Sequence, residues 1–293
     1  MNAQVQLRST TRAGDLLELT KPGIIAMTAL TAAGGLGLAP DRVGSLRAVA
    51  ALVGTALCVA SANVFNMYLE RDNDRWMSRT ASRPLPQGRI NPLLALTFGA
   101  ALGLIAVAVL SALVRPVTAV LGALGFLVYV FFYTPLKKLT PHALLVGCVA
   151  GAIPPAMGWS AATGSIDARA LALPLVLFAW QIPHFLAISV FRKKEYARAE
   201  IRAAAVVWSE RTVRLLIVAS SALLLIVSLA PIAAGIAGLA FGLVAAGAGT
   251  WMVVISLARS PAPVDRWARR VFRASLVYLP LLALGMIVDV IAR

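Results

Sequence analysis

Charge is the commodity this 293-residue sequence has least of. Asp, Glu, Lys and Arg make up only 13% of it, against roughly 25% in a soluble globular chain. That thinness, with 60% hydrophobic residues and a mean hydropathy of +0.84, excludes a disordered, collagenous or ordinary soluble chain. A polytopic membrane protein remains. Acids are scarcer than bases, 12 against 27, for a net charge of +15. In a soluble protein this excess would point to nucleic acid. In a membrane protein it belongs to cytoplasmic loops, so no nucleic-acid partner is expected. Cysteine is nearly absent: Cys58 and Cys148 each lie in an apolar stretch, neither in a C-x-x-C, and read as small buried residues. Two histidines, His142 and His184, cannot form a metal site of several imidazoles. The first fourteen residues hold no apolar run of the kind a cleaved secretory signal needs.

What is present is a series of apolar runs. A spanning helix needs about 20 mostly apolar residues. Nine candidates satisfy this: Gly23–Ala39, Leu46–Leu69, Pro92–Val114, Pro116–Phe132, Ala143–Ala162, Ala170–Phe191, Val213–Ala230, Ile232–Ala258 and Val271–Ala292. The pattern predicts an all-α, nine-helix membrane bundle, one domain over 1–293, with residues 1–15 a flexible tail. Arg115-Pro116 and Ala230-Pro231 predict tight hairpins between the third and fourth and the seventh and eighth spans. With nine spans, 22 of the 27 basic residues fall on the side of the N-terminus. The rule that basic loops stay inside puts that side in the cytoplasm and the C-terminus outside.

The second span runs on into Asn63-Val-Phe-Asn66-Met-Tyr68-Leu-Glu70-Arg71-Asp72-Asn-Asp74-Arg75. At about 100° per residue, Asn66, Glu70 and Asp74 share one stripe of a helix. Like charges four residues apart repel, and a divalent cation would relieve the repulsion. Two carboxylates and an amide oxygen are hard ligands suited to Mg²⁺. Arg71, Arg75, Arg79, Arg83 and Arg89 follow. Acids with Mg²⁺ beside arginines suit a diphosphate. The other reading is a solvated loop whose acids pair with its own arginines.

The sixth span carries Trp180-Gln181-Ile-Pro183-His184-Phe185 and ends in Phe191-Arg192-Lys193-Lys194-Glu195-Tyr196. Polar groups at membrane depth usually face a cavity or a partner helix, and Pro183 predicts a kink. His184 is open to four roles: contact to a cofactor, acid–base chemistry, ligation of an iron, or packing. Glu195, among Arg192, Lys193 and Lys194, is the natural second carboxylate. Lys137 and Lys138 close the fourth span on the same side, within reach of a phosphate. In GCVAGAIPPAMGW, Gly147 to Trp159, the prolines predict a helix broken beside a cavity. Beyond about residue 210 the sequence supplies spans but no legible chemistry.

Several blocks in order carry a resemblance: TKPGI from Thr20, the N-x3-E-x3-D stripe, DRWMSRTASRPLPQG from Asp74, YTPLKK, GAIPPAMGW, and WQIPHF with FRKKEY. The chain resembles the intramembrane UbiA-type prenyltransferase superfamily and, through RT-x2-RPLP and W-Q-x-PHF, its protohaem IX farnesyltransferase branch. That resemblance implies helices bundled around a central cavity in a bacterial inner membrane. It implies farnesyl diphosphate and haem b as substrates, haem O as product and Mg²⁺ as cofactor. Asn66, Glu70 and Asp74 match the first diphosphate–Mg²⁺ motif, with Glu195 the further metal-binding acid. Arg79, Arg83, Lys137, Lys138, Arg192, Lys194 and Tyr196 take diphosphate-binding positions, and His184 the haem-branch histidine. A haem A synthase or terminal-oxidase assembly is the implied protein partner. The sequence departs from the family where an I-P-x-L-P segment is common: Ile201-Arg202-Ala203-Ala204-Ala205 stands there. Other readings are prenyl transfer to a quinone precursor or chlorophyllide, a secondary transporter, or a non-catalytic haem-handling protein. The branch motifs oppose the first, and acids at helix ends without an internal repeat oppose the second.

Overall fold

The computed structural model describes residues 12–258 and 263–292, and the described residues form helices and connecting turns without strands. In chain order the helices are α1 (Arg12–Thr20), α2 (Pro22–Leu38), α3 (Ser45–Asp74), α4 (Pro92–Val114), α5 (Pro116–Leu136) and α6 (Ala143–Thr163). Then follow α7 (Arg169–Phe191), α8 (Lys193–Arg198), α9 (Ala204–Val207), α10 (Glu210–Ala233), α11 (Leu239–Leu257) and α12 (Val264–Ala292). Eight of these are long and apolar enough to cross a bilayer, and α1 with α2, bent by 48° at Lys21, together have the length and apolarity of a ninth span. The expected all-α, multi-pass architecture is therefore the observed one.

The bundle has an inside and an outside. In α3, α6 and α7, 56% of the apolar window is buried, against 22% in α4. The first three form the centre, and α4 shows its Leu and Val side chains to lipid. Small residues set the closest approach. A Cβ at Gly35 of α2 would stand 1.9 Å from the Pro155 oxygen of α6, and one at Gly158 of α6 would stand 1.9 Å from the Ala32 oxygen. Only glycine lets these two backbones touch. Gln181 of α7 donates from Nε2 to the Cys148 carbonyl of α6 at 3.0 Å, stitching the central pair together.

Four expectations change. Residues 12–15 are not a tail: they open α1, and Asp15 is buried with Arg89 at 3.3 Å. Residues 1–11 lie outside the described residues. Pro154 and Pro155 do not break α6, which is continuous from Ala143 to Thr163. In a bilayer an interrupted backbone has no water to bond, so packed neighbours hold the helix through its prolines. Pro183, where a kink is expected, lies inside α7 without interrupting its run from Ala172 to Phe191. The Arg115-Pro116 hairpin forms, with Arg115 extended between two helices. The one at Ala230-Pro231 does not, because proline is tolerated in a first helical turn. There it opens the turn Ala230–Ala233, and the chain reverses at Gly235, φ +68°. Finally, α12 starts at Val264 instead of Val271, which lifts Arg266, Arg269 and Arg270 out of the loop and onto a helix.

Candidate functional site

One cavity of about 950 Å³ runs between the central helices. That lies near the top of the range for small-ligand sites, roughly 300–1,000 Å³. Ile24 and Met27 of α2, and Leu276 and Pro280 of α12, line it and are also exposed. It therefore opens sideways between α2 and α12, toward lipid. Its loop end is roofed by the two long loops, which hold each other. Asn73 donates to the Ala199 carbonyl at 2.8 Å, Ser78 to Glu195 at 3.1 Å, and Met77 packs on Ala199 and Ile201.

The acidic pole grows from the end of α3. Asn66, Glu70 and Asp74 share a face there, as their spacing predicts, and all three are buried. Glu70 accepts from Asn66 Nδ2 and is ion-paired with Lys137. Asp74 Oδ2 pairs with Arg83 at 2.7 Å. The other Asp74 oxygen, Oδ1, is buried without a hydrogen-bond partner. Arg79 lines the cavity and is exposed, without an ion pair among the described residues.

A further cation reaches this pole from α2. Lys21 donates from Nζ to Asn66 Oδ1 at 2.7 Å. Its backbone is left-handed, φ 55°, at the bend between α1 and α2. A non-glycine residue held there stores strain of the order of 1–3 kcal/mol. The packing of α1 keeps it in place: Asn63 donates to the Thr20 carbonyl at 2.9 Å, and Leu19 is fully buried. Lys21 sits in the TKPGI block, 45 positions before Asn66, so spacing gave no sign of its reach to that residue.

The end of α5 adds the last wall. Val128–Tyr133 widens into a π-helix, a departure that recurs at functional sites. It places Tyr129 and Tyr133 on the cavity, stacked 5.3 Å apart. Thr134 accepts from Asn66 Nδ2 at 3.1 Å and donates to the Tyr129 carbonyl at 2.8 Å.

The opposite pole is aromatic. His184 is buried, stacked on Trp180 at 4.8 Å and flanked by Phe272 at 5.0 Å and Phe185 at 5.2 Å. Its Nδ1 bonds Ser275 Oγ at 2.7 Å, and Trp180 donates to the Ser275 carbonyl at 2.7 Å. Ser275 and Phe272 belong to α12, so the C-terminal third does carry site chemistry. Arg269 and Arg273, one turn apart on α12, also line the cavity.

The second cluster is divided. Arg192 and Tyr196 line the cavity, and surrounding protein pushes the half-buried Tyr196 phenol's pKa upward. Glu195 points instead at Arg192, 2.9 Å away, and Ser78. Lys138 and Lys194 are exposed and do not line the cavity; Lys138 borders a separate hollow with Asn73, Glu200 and Arg202. Among the described residues no three His, Cys, Asp or Glu side chains gather as a metal cluster, so Glu195 does not join Glu70 and Asp74.

The donor set at Asn66, Glu70 and Asp74 fits a hard divalent ion that keeps water and ligand phosphates in its shell. The unpartnered Asp74 Oδ1 is the specific observation, because a buried carboxylate oxygen left without a bond is unfavourable.

The model of the UbiA prenyltransferase family matches residues 27–276. A protoheme IX farnesyltransferase of Anaeromyxobacter sp. (strain Fw109-5) is 43% identical over 285 residues, covering 97% of this chain and 96% of its own. A solved structure described as digeranylgeranylglyceryl phosphate synthase superposes with a TM-score of 0.80 at 16% identity, over 96% of this chain and 99% of that one. A UbiA homologue from Archaeoglobus fulgidus bound to GPP and Mg²⁺ does so with a TM-score of 0.69 at 15% identity, over 93% and 99%. The match over most of the length, the shared fold and an acidic pole facing an aromatic one across a lipid-open cavity lead to one conclusion: the chain belongs to the UbiA prenyltransferase family.

Proposed function

We propose that this multi-pass membrane protein transfers the farnesyl group of farnesyl diphosphate to a vinyl group of haem b, giving haem O and diphosphate. The observation that carries the proposal is the apposition of the two poles on one cavity. Cations around two buried carboxylates suit a diphosphate. An aromatic wall of Trp180, His184, Phe185 and Phe272 suits a planar macrocycle. A lateral opening between α2 and α12 lets a prenyl tail remain in lipid. The identity with a protoheme IX farnesyltransferase over nearly the whole chain supports the choice of acceptor.

Asn66, Glu70 and Asp74 would hold Mg²⁺, which supplies Lewis-acid neutralisation of the diphosphate. The residues do the rest. Lys21, Arg79, Arg83 and Lys137 converge on the leaving group. As the C1–O bond breaks, the bonding pair leaves with the diphosphate, and these fixed cations meet the charge where it develops. The apolar walls keep bulk water from the allylic cation. The vinyl group attacks C1, a C–C bond forms, and the positive charge moves to the carbon beside the ring. Water adds there as hydroxyl and releases one proton. His184 orients the acceptor; its Nδ1 is tied to Ser275, so its free ring nitrogen is Nε2. The basic loops, and with them the acidic pole, face the cytoplasm of a bacterial inner membrane, where the diphosphate head is supplied.

The test is pigment extraction from membranes of a haem O-deficient host expressing the chain. A farnesylated haem is expected. Only haem b, with the protein present in the membrane, would defeat the proposal.

A further inference from the structure

We infer that Arg269 and Arg273 of α12 form a second anion grip, built for the acceptor's carboxylate edge. The inference rests on the proposed reaction and adds to it the recognition of the acceptor's charged end.

The cavity-facing residues of α12 are Arg269, Phe272, Arg273, Leu276, Leu279 and Pro280. At about 100° per residue they fall within roughly 120° of arc, a single stripe. Along its length the stripe changes character. The loop end carries two arginines. The next turns are apolar, and Ser275 beside them anchors His184. A ligand lying along this stripe needs an anionic end toward the loops and an apolar body deeper in the membrane.

The same polarity runs through the aromatic contacts. The Arg269 guanidinium lies 4.5 Å over the Phe191 ring. Phe191 meets Phe272 at 5.5 Å, and Phe272 meets His184 at 5.0 Å. Arg269 is thus three ring contacts from the histidine slot.

Charge compensation separates these two arginines, like Arg79 and Arg202, from the paired cations on the cavity; unlike Arg79, they stand on the helix that carries Phe272 and Ser275, beside His184. Arg83 pairs with Asp74, Lys137 with Glu70, and Arg192 with Glu195. Among the described residues no carboxylate pairs with Arg269 or Arg273. Two guanidiniums beside an aromatic cavity wall match a planar macrocycle carrying two carboxylates at one edge, and arginine is the side chain suited to forked carboxylate contacts. With that edge at the loop end, the rest of the ring extends across the cavity toward the acidic pole.

The test compares haem b with its dimethyl ester, which keeps the ring and removes both negative charges. The wild-type chain in detergent and Arg269→Gln/Arg273→Gln are titrated with each by Soret absorbance, and acceptor and donor KM are measured separately. The wild type is expected to prefer the acid to the ester by about tenfold or more, from loss of charge-assisted hydrogen bonds. The double variant is expected to bind acid and ester alike, with donor KM unchanged. Arg269→Lys/Arg273→Lys should restore part of the preference, since charge is kept and the fork lost. Both arginines are exposed, and binding of the ester by the glutamine variant reports an intact slot. An undiminished preference for the acid in the glutamine variant would overturn the inference. So would a rise confined to donor KM, which would assign the arginines to the diphosphate. A wild type that binds haem without farnesylating it would defeat the proposed reaction instead, and one whose titrations show no preference for the acid would defeat the grip alone.

Discussion

The two ends of the cavity solve different electrostatic problems. At the acidic pole, Glu70 and Asp74 are buried and already paired, to Lys137 and Arg83, with Lys21 bonded to Asn66 between them. Counting Arg79, cations there exceed carboxylates by two. At the aromatic pole the neutral parts are fixed by direct hydrogen bonds, His184 to Ser275 and Trp180 to the same residue's carbonyl, while the cations stand apart without acids. The first pole is preorganised for charge that develops during reaction. The second is shaped for a body that arrives with its charge already in place. Preorganised charge acts on kcat, because it is felt most in the transition state. Shape and static charge act on binding, and hence on KM.

That contrast can be broken from its acidic side first. Stripping Mg²⁺ with EDTA from membranes is expected to reduce prenyl transfer to background, with recovery on adding Mg²⁺; full activity in chelator would remove the metal from the acidic pole. Asp74→Ala is expected to lower kcat by about 10²–10³, the usual loss for one transition-state-stabilising group. Turnover by radiolabelled donor checks it, and wild-type turnover would refute the diphosphate assignment. Lys21→Met should lower kcat by about tenfold or more while acceptor KM holds, since one charged contact is removed from one pole only.

Smaller effects sharpen the other side. His184→Ala is expected to raise acceptor KM by about tenfold and alter the bound-haem Soret band, because a stacked aromatic contact and a buried polar group are lost together. A drop in kcat alone, with KM unchanged, would make His184 an acid–base group instead. Smallest of all, Lys138→Ala and Lys194→Ala should each change kcat/KM by less than about twofold, as exposed surface charges do. Both side chains face away from the cavity, so a large loss in either would show that the loops close further than their positions here.

These residues also show how far the sequence carries. Asn66, Glu70 and Asp74 were legible because helical period is local: positions four apart share a face whatever surrounds them. Arg192 and Glu195 were legible as a charged cluster, but not that they satisfy each other. Lys138 and Lys137 are adjacent and identical in type, and only the course of α5 decides that one lines the cavity. Lys21 and Arg269 stand 248 positions apart on one cavity, a relation no spacing encodes.

By itself, the sequence determined the nine apolar spans, the basic asymmetry of the loops and the acidic stripe on α3, because hydropathy and helical period act over a few residues at a time. Tertiary structure decided the rest. It kept α6 one continuous helix through Pro154 and Pro155, since the bilayer offers a broken backbone nothing to bond. It bent the chain at Lys21 against its backbone preference, turned Phe272 and Ser275 of the last helix toward His184, and set two arginines of that helix on the cavity wall. Those outcomes depend on which surfaces meet, and the meeting of surfaces is settled by packing between helices far apart in the chain.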